Sequence, residues 1–357
     1  MKKRFKKIAF ITIFLSFFWG LWWGFYQDYR LRPENWAKGE LNVLTQSQMF
    51  DVQFLQKFAA EEGFILKVKS VSTPQAFLQE MLTHSSSYDI IQFNSFLADS
   101  FLVENVFYEL DRDRIKNMQN ISIDFQNLNF DPNSQYLVPL YWGVNGFVYN
   151  KEKIENIGSI FQISKQTTLL PSSVESYAYA TKMKPIIKNW AATGNEESLL
   201  KDLKSISAEF PSFSQDLDGA LITGSNVAAQ STNGKAAAFL AKNKNFRFDL
   251  PIEKANLWVS VMGVTKDSPH KKVAQEVLNR FLMPKWSEEL TRSTHEATVN
   301  ALLDRSEKIL PQQKSQFIRE LRLSRFELFY DHESFEPLWM RSLKEVFPQT
   351  FANSGAK

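Results

Sequence analysis

The chain predicts an α/β fold divided between two domains, and three observations carry that expectation. It has 357 residues, more than one hydrophobic core commonly serves. Between Leu41 and Phe93 it alternates strand, helix, strand, helix, strand, the pattern of a parallel sheet with covering helices. Tyr136–Asn150, YLVPLYWGVNGFVYN, is apolar almost throughout yet contains Pro139, Gly143 and Gly146. A continuous apolar run reads as a buried strand, whereas Pro and Gly inside it mark a bend or a close backbone approach. Together they describe a strand that leaves one domain and enters another beside a ligand cleft. A core strand with a kink is the plainer reading of the same residues.

Each element follows from local pattern. LNVLT (Leu41–Thr45) is an apolar-rich strand. Asp51–Glu62 places Phe54, Leu55, Phe58 and Ala59 on one helical face, and Gly63 ends it as a C′ residue. Ile65–Val71 alternates as a second strand. Pro74 opens a helix to Leu82 that Thr73 can cap, and YDIIQF (Tyr88–Phe93) is a third strand. Ligands of such sheets lie beyond the carboxyl ends of the strands, here Thr45–Gln48 and Asn94–Phe96. Further on, Leu169–Tyr177 reads as a strand running into a helix start. Tyr179–Trp190 and Glu197–Phe210 read as helices, and Ala220–Leu240 as a helix–turn–strand unit. Asn256–Thr265, NLWVSVMGVT, is a second candidate crossover. Ser268–Leu290 is helical with a break at Pro284, and Asn300–Phe347 is a largely helical tail.

The ends and the charge separate the first residues from the rest. Of 42 Lys/Arg and 39 Asp/Glu, eight and two lie in 1–39. The remaining 34 and 37 give residues 40–357 a net charge of −3, which speaks against a nucleic-acid partner. Five of those basic residues fall between Lys2 and Lys7, ahead of an uncharged apolar segment, Ile8–Tyr26, ending in WGLWWGFY. A bilayer crossing needs roughly 17–25 residues, and clustered Trp and Tyr suit its far interface while the Lys cluster stays inside. No small-x-small pair follows closely. The segment therefore predicts an uncleaved anchor, with a cleaved secretory signal as the alternative. Either way, residues from about 40 onward face outward.

Catalytic patterns are missing from the sequence. There is no cysteine, so disulfides, thiolate catalysis and a lipobox cysteine are excluded. His84, His270, His295 and His332 stand far apart among polar residues, without metal-ligand spacing. No GxSxG, HExxH, Walker or GxGxxG motif occurs, and no carboxylate pair is singled out. The expectation is a protein that is no enzyme and holds no cofactor or metal.

A series of segments in order carries a family resemblance: LNVLTQSQMFDVQFLQKFAAEEGFILKV, SSSYDIIQFNSFLAD, LDRDRIKNMQNISIDFQNLNFDPNSQYLVPLYWGVNGFVYNKEKI, and ANLWVSVMGVTKDSPHKKVAQEVLNRFLMPKWSEELTRSTHEATVNALL. They resemble the bacterial periplasmic spermidine/putrescine-binding proteins, receptors of polyamine ABC importers. The likeness spans most of 40–305 and weakens between Asn156 and Ala220 and in the tail.

The resemblance implies a periplasmic-binding-protein-like class II fold, two discontinuous α/β domains joined by two hinge crossings near Trp142 and Trp258. One lobe would comprise 40–141 with 260–305, the other 142–259 with 306–357, after an anchor and tether over 1–39. It also implies a ligand site built from Ser47, Asn94, Phe96, Ser173, Glu175, Thr232, Trp258, Ser260 and Glu296.

These positions depart from the family pattern. Gln46 and Ser47 stand where the family has an aromatic and a hydroxyl residue, and Asn94 and Phe96 where it has Ser and Tyr. Its ammonium-gripping acids fall on Ser173 and Ser176, with Glu175 between them. Thr232 replaces a pocket Trp, Ser260 a carboxylate and Glu296 a Tyr, while Trp258 keeps the stacking aromatic. Packing at the interface between the domains is the plainer reading of Trp258 and Phe96. A buried ammonium needs a carboxylate or an aromatic face, and losing one partner of a buried charge pair costs roughly 2–5 kcal/mol. The expected ligand is therefore a small polar or singly cationic solute rather than spermidine. The implied partners are this ligand, ABC permease subunits and, through 1–39, the inner membrane, at a periplasmic location. The alternative is a membrane-anchored envelope interaction protein that kept the scaffold and lost polyamine binding. An envelope enzyme is disfavoured because Asn300–Lys357 is too short for an added catalytic domain.

Overall fold

The computed structural model describes residues 40–46, 52–71, 74–158, 166–169, 196–209, 212–214, 216–223, 226–250, 255–320, 326–328, 342 and 345–346. Strand β1 (Glu40–Gln46) leads through helix α1 (Val52–Glu62) to β2 (Ile65–Val71). Helix α2 (Pro74–His84) then precedes β3 (Ile90–Asn94) and α3 (Ala98–Val103). The long strand β4 (Leu137–Asn150) is followed by β5 (Thr167–Leu169), α4 (Glu196–Ile206), β6 (Ser212–Phe213), β7 (Ala228–Thr232), α5 (Asn233–Lys242) and β8 (Phe246–Asp249). The chain continues through β9 (Ala255–Val264), α6 (Lys271–Phe281), α7 (Pro284–Thr294), β10 (Ala297–Thr298), α8 (Phe317–Glu320) and β11 (Phe326–Leu328).

The strands run in the order β2-β1-β3-β9-β4-β7-β5-β6, with β8 and β10 also on β4 and β11 on β9. β1 is parallel to both β2 and β3, as strands joined by α1 and α2 must be. β9 then lies antiparallel between β3 and β4. The decisive strand is β4. Its residues Leu137–Val144 pair with β9, whereas Asn145–Tyr149 pair with β7 on one side and Phe147–Asn150 with β8 on the other. One continuous strand thus changes partners between Val144 and Asn145, in the middle of the run that Pro139, Gly143 and Gly146 punctuate.

Helix α1 buries the four residues its periodicity singles out, Phe54, Leu55, Phe58 and Ala59. Phe58 stacks on Phe281 of α6 with ring centroids 4.1 Å apart and meets Trp286 of α7 edge-on at 4.9 Å. Such pairs contribute about 0.5–1.5 kcal/mol each beyond their buried area. Trp286 Nε1 donates to Glu62 Oε1 at 2.6 Å, so the indole's polar edge is matched where the helices meet. Gly63 ends α1 in the left-handed region at φ 78°, and the Phe64 N–H donates to the Ala59 carbonyl at 2.9 Å, closing a Schellman turn. Pro284 opens α7 at its first turn, where its missing N–H costs nothing.

Two expectations are corrected. Ala220–Leu240 is a π-helical turn (Gly219–Thr223), then a strand, then a helix. Ala228–Thr232 lies buried between β4 and β5, so sheet pairing overrides the helical preference of its alanines. Where it is described, the stretch after Asn300 is built of short helical turns rather than long helices. It forms 3-10 turns at Ala301–Arg305 and Pro311–Gln313, the one-turn α8, and β11. Asp304 explains the first part, because its carboxylate accepts both the Ser315 N–H at 2.8 Å and the Ser315 hydroxyl at 2.7 Å, folding the chain back on itself. The helix expected at Tyr179–Trp190 and the segment Ile8–Tyr26 lie outside the described residues. Among the described residues no helix is long and apolar enough to cross a membrane.

Candidate functional site

The switch point of β4 gathers side chains from both parts of the sheet. Antiparallel pairing sets Tyr141 opposite Ser260 and Gly143 opposite Trp258 on β9. On the other edge β10 pairs Ala297 with Trp142 and Thr298 with Tyr141. Carried one residue back, that register sets Glu296 across from Gly143. Directly paired residues share a face of the sheet, as do residues two apart on one strand. Tyr141, Gly143, Trp258, Ser260 and Glu296 therefore belong to one face. Beyond the switch, Asn145 pairs with Thr232 on β7.

Gly143 makes this face concave. A Cβ there would fall 2.3 Å from Cζ2 of Trp258, so the indole lies across the strand in space that any other residue would fill. The Tyr141 and Trp258 rings meet at right angles, with centroids 6.1 Å apart. Trp258 is half-buried and Tyr141 is fully buried. Burial pushes the Tyr141 phenol far above its ordinary range. The Ser260 hydroxyl beside it works in the opposite direction, and the charge of Glu296 adds to the rise.

Glu296 is the unusual group. Only 6% of its surface is exposed. The Thr232 hydroxyl donates to its Oε1 at 3.1 Å, and Lys235 Nζ stands 4.0 Å from the same oxygen. Its other oxygen, Oε2, is buried and meets no hydrogen-bond donor among the described residues. Burial pushes the carboxyl up to about 7, against the opposing pull of Lys235 and the Thr232 hydrogen bond. The backbone brings these groups together closely. A Cβ at Gly234 would fall 2.0 Å from the His295 carbonyl oxygen, so the first turn of α5 rests directly on the chain that carries Glu296.

The positions singled out in the sequence divide into three groups. Thr232, Trp258, Ser260 and Glu296 converge on the β4 switch. Thr232 also caps α5, its Oγ1 accepting from the Lys235 N–H at 3.4 Å. Ser260 is fully buried and accepts from Gln92 Nε2 at 2.7 Å, while Gln92 Oε1 accepts from Thr45 Oγ1 at 2.6 Å. That relay ties β1, β3 and β9 together at their cleft ends. Asn94 ends β3 opposite Ser260 and is buried, and Phe96 lies in the 3-10 turn Ser95–Leu97 that follows. This turn is held to β9 by the Val259 N–H, which donates to Ser95 Oγ at 3.1 Å. Ser47, Ser173 and Glu175 lie outside the described residues. Gln46 is buried, and its Oε1, like that of Glu296 Oε2, meets no donor among the described residues.

Sequence reasoning missed Tyr141, Gly143, Gln92 and Lys235. Gly143 carried a signal, a glycine in the middle of a buried strand. The others have none, since their roles come from pairings between residues far apart in the sequence.

Comparisons with known proteins agree with this architecture. The family model for bacterial extracellular solute-binding proteins matches residues 50–286. The putrescine-binding periplasmic protein SpuD of Pseudomonas aeruginosa is 23% identical over 282 residues, covering 70% of this chain and 76% of its own length. The spermidine/putrescine-binding periplasmic protein of Escherichia coli is 20% identical over 257 residues, covering 69% and 73%. Among solved structures, the spermidine/putrescine ABC transporter substrate-binding protein PotD of Streptococcus pneumoniae superposes with a TM-score of 0.61 at 18% identity, over 88% of this chain and 99% of that one. The fold is thus the class II α/β fold of periplasmic binding proteins, with the β4 switch as a passage between its two sheet halves. The chain belongs to the bacterial extracellular solute-binding protein family.

Proposed function

We propose that this protein is the periplasmic receptor of a polyamine-type ABC import system and binds a small polar or cationic solute between its two sheet halves. The observation that carries the reading is the convergence at the β4 switch of a half-buried indole, a glycine floor and a buried carboxylate with one oxygen unengaged by the described residues. A glycine inside a core strand usually weakens it, and a buried unpaired carboxylate oxygen destabilises the fold. Both are understandable where a ligand supplies the missing contacts. The naming of the relatives after putrescine and spermidine supports an amine-bearing solute.

In this reading the protein does no chemistry. The lobes, 40–141 with 260–305 and 142–259 with 306–357, close on the solute, and the closed form is what permease subunits read. The change of partners between Val144 and Asn145 supports a first crossing just after Trp142. Closure draws its free energy from contacts made only in the closed state. Asn94, Phe96, Trp258 and Glu296 are ligand contacts; Ser47, Ser173 and Glu175, expected as contacts from the sequence, lie outside the described residues. Ser260 and Thr232 act one step behind them, through Gln92 and Glu296. Residues 1–39 tether the protein to the inner membrane.

A thermal-shift panel of amines, amino acids and sugars tests the reading. A bound solute at a hundred times its Kd stabilises the fold by about 2.7 kcal/mol. Absence of any shift across the panel would count against a small-molecule role. It would favour instead a scaffold kept for envelope interactions, a reading that the neutral residue at Ser260 supports.

A further inference from the structure

Resting on the cleft reading above, we propose that Glu296 is the cation receptor of the site. Its free oxygen takes the ammonium of a ligand that carries a single positive charge, and the apolar part of that ligand lies against the Trp258 indole.

Three observations support the assignment. The first is placement. Gly143 pairs with Trp258 on one side and, by the register of β10, stands across from Glu296 on the other, so both residues share the sheet face on either side of a position without a side chain. Carboxylate and aromatic face are the two groups that offset the desolvation of an ammonium. The second is satisfaction of the carboxylate. Thr232 and Lys235 both address Oε1, while Oε2 is buried without a donor among the described residues. Lys235 Nζ at 4.0 Å is beyond hydrogen-bond reach. Oε2 therefore lacks a donor among the described residues, and the charge on Glu296 calls for a cationic one. The third is the count of charge. Ser260 is neutral, and its hydroxyl already accepts from Gln92. Gln46, another buried side chain with an unmet acceptor among the described residues, is a neutral amide. Among the described residues at this switch, one ammonium is thus matched by a carboxylate, and a second would find only neutral oxygens.

The titratable groups around Glu296 are Lys235 from α5, Tyr141 from β4 and the exposed His295 of the same segment. With the Glu296 carboxyl raised to about 7, its ionised fraction falls about tenfold between pH 8 and pH 6, and the apparent affinity for a permanent cation falls with it.

The test is isothermal titration calorimetry of the wild type, Glu296→Gln and His295→Asn with pentylamine, 1,4-diaminobutane, 1-pentanol, glucose and alanine, at pH 6 and pH 8. Asn suits the left-handed conformation of residue 295, and the Gln variant keeps an oxygen for Thr232. The expected result has four parts. Pentylamine binds the wild type at pH 8, and pentanol does not. Glu296→Gln weakens pentylamine at least tenfold. The wild type and His295→Asn lose about tenfold in affinity at pH 6. Glu296→Gln shows no such pH dependence. Equal pentylamine affinity in the wild type and Glu296→Gln overturns the assignment while leaving a solute-binding cleft intact. So does binding of glucose, alanine or pentanol in preference to both amines. Tighter binding of 1,4-diaminobutane that survives Glu296→Gln overturns the single-charge claim and moves the cation partner to another residue. If none of the five binds, the cleft reading falls together with the assignment.

Discussion

Replacing Glu296 by Gln should stabilise the unliganded protein, in a way that depends on pH. The residue is only 6% exposed, one of its oxygens has no donor among the described residues, and burial raises its carboxyl from 4.5 to about 7. A group whose pKa is higher in the folded state contributes its stability fully below the unfolded value. It loses that contribution as pH rises through the folded value. For Glu296 the window runs from about pH 4.5 to just above 7. At about 1.4 kcal/mol per pH unit, the ionised carboxylate costs the folded state on the order of 3 kcal/mol at pH 8, net of the help from Lys235 and Thr232. Glutamine cannot ionise and keeps the Thr232 hydrogen bond, so the variant escapes most of that cost. Urea denaturation followed by far-UV circular dichroism should give nearly equal midpoints at pH 4.5 and a variant more stable by about 2–3 kcal/mol at pH 8. A variant that is less stable at pH 8 would refute the reasoning. It would mean that Glu296 is held by an ion pair stronger than its desolvation, and is therefore not waiting for a partner.

Gly143→Ala places a methyl 2.3 Å from the Trp258 ring. It should cost about 1–3 kcal/mol and abolish solute binding while the secondary structure by circular dichroism is kept; unchanged binding would show that the indole does not border the site. Gln92→Leu strands the hydroxyls of Thr45 and Ser260 and should cost about 1–3 kcal/mol in chemical denaturation. A neutral effect would mean that water replaces the relay. Asp131→Ala removes the acceptor of the Gln135, Tyr136 and Leu137 N–H groups at the start of β4. Faster amide exchange at those three positions is expected, and unaltered protection would deny the carboxylate its clamping role.

Much of the fold was legible because its signals are local. Between Leu41 and Asn94 the expected elements match the observed strands and helices to within about two residues, since period-2 and helical patterns there are punctuated by Gly63 and Pro74. The tail was misread because Asp304 gathers Ser315 across a loop, a tertiary bond that no helical pattern announces. The unit Ala220–Leu240 was read in the wrong order, because its strand Ala228–Thr232 is set by pairing with β4 and β5 across the sheet rather than by local pattern. At the site, Trp258 and Glu296 were named by resemblance to a family, but their relation was not. It depends on two registers that meet at Gly143, one with β9 and one with β10, over separations of more than a hundred residues. Lys235 and Thr232 reach Glu296 only because α5 packs on the His295 backbone at Gly234.

The central claim is that both sheet halves contribute to one solute site at the β4 switch. Amide hydrogen–deuterium exchange with and without a bound amine tests it most directly. The account expects simultaneous protection of 141–145, 232–235, 257–260 and 296–298 on ligand addition. Protection confined to one half of the sheet, or found only away from these four segments, would contradict it.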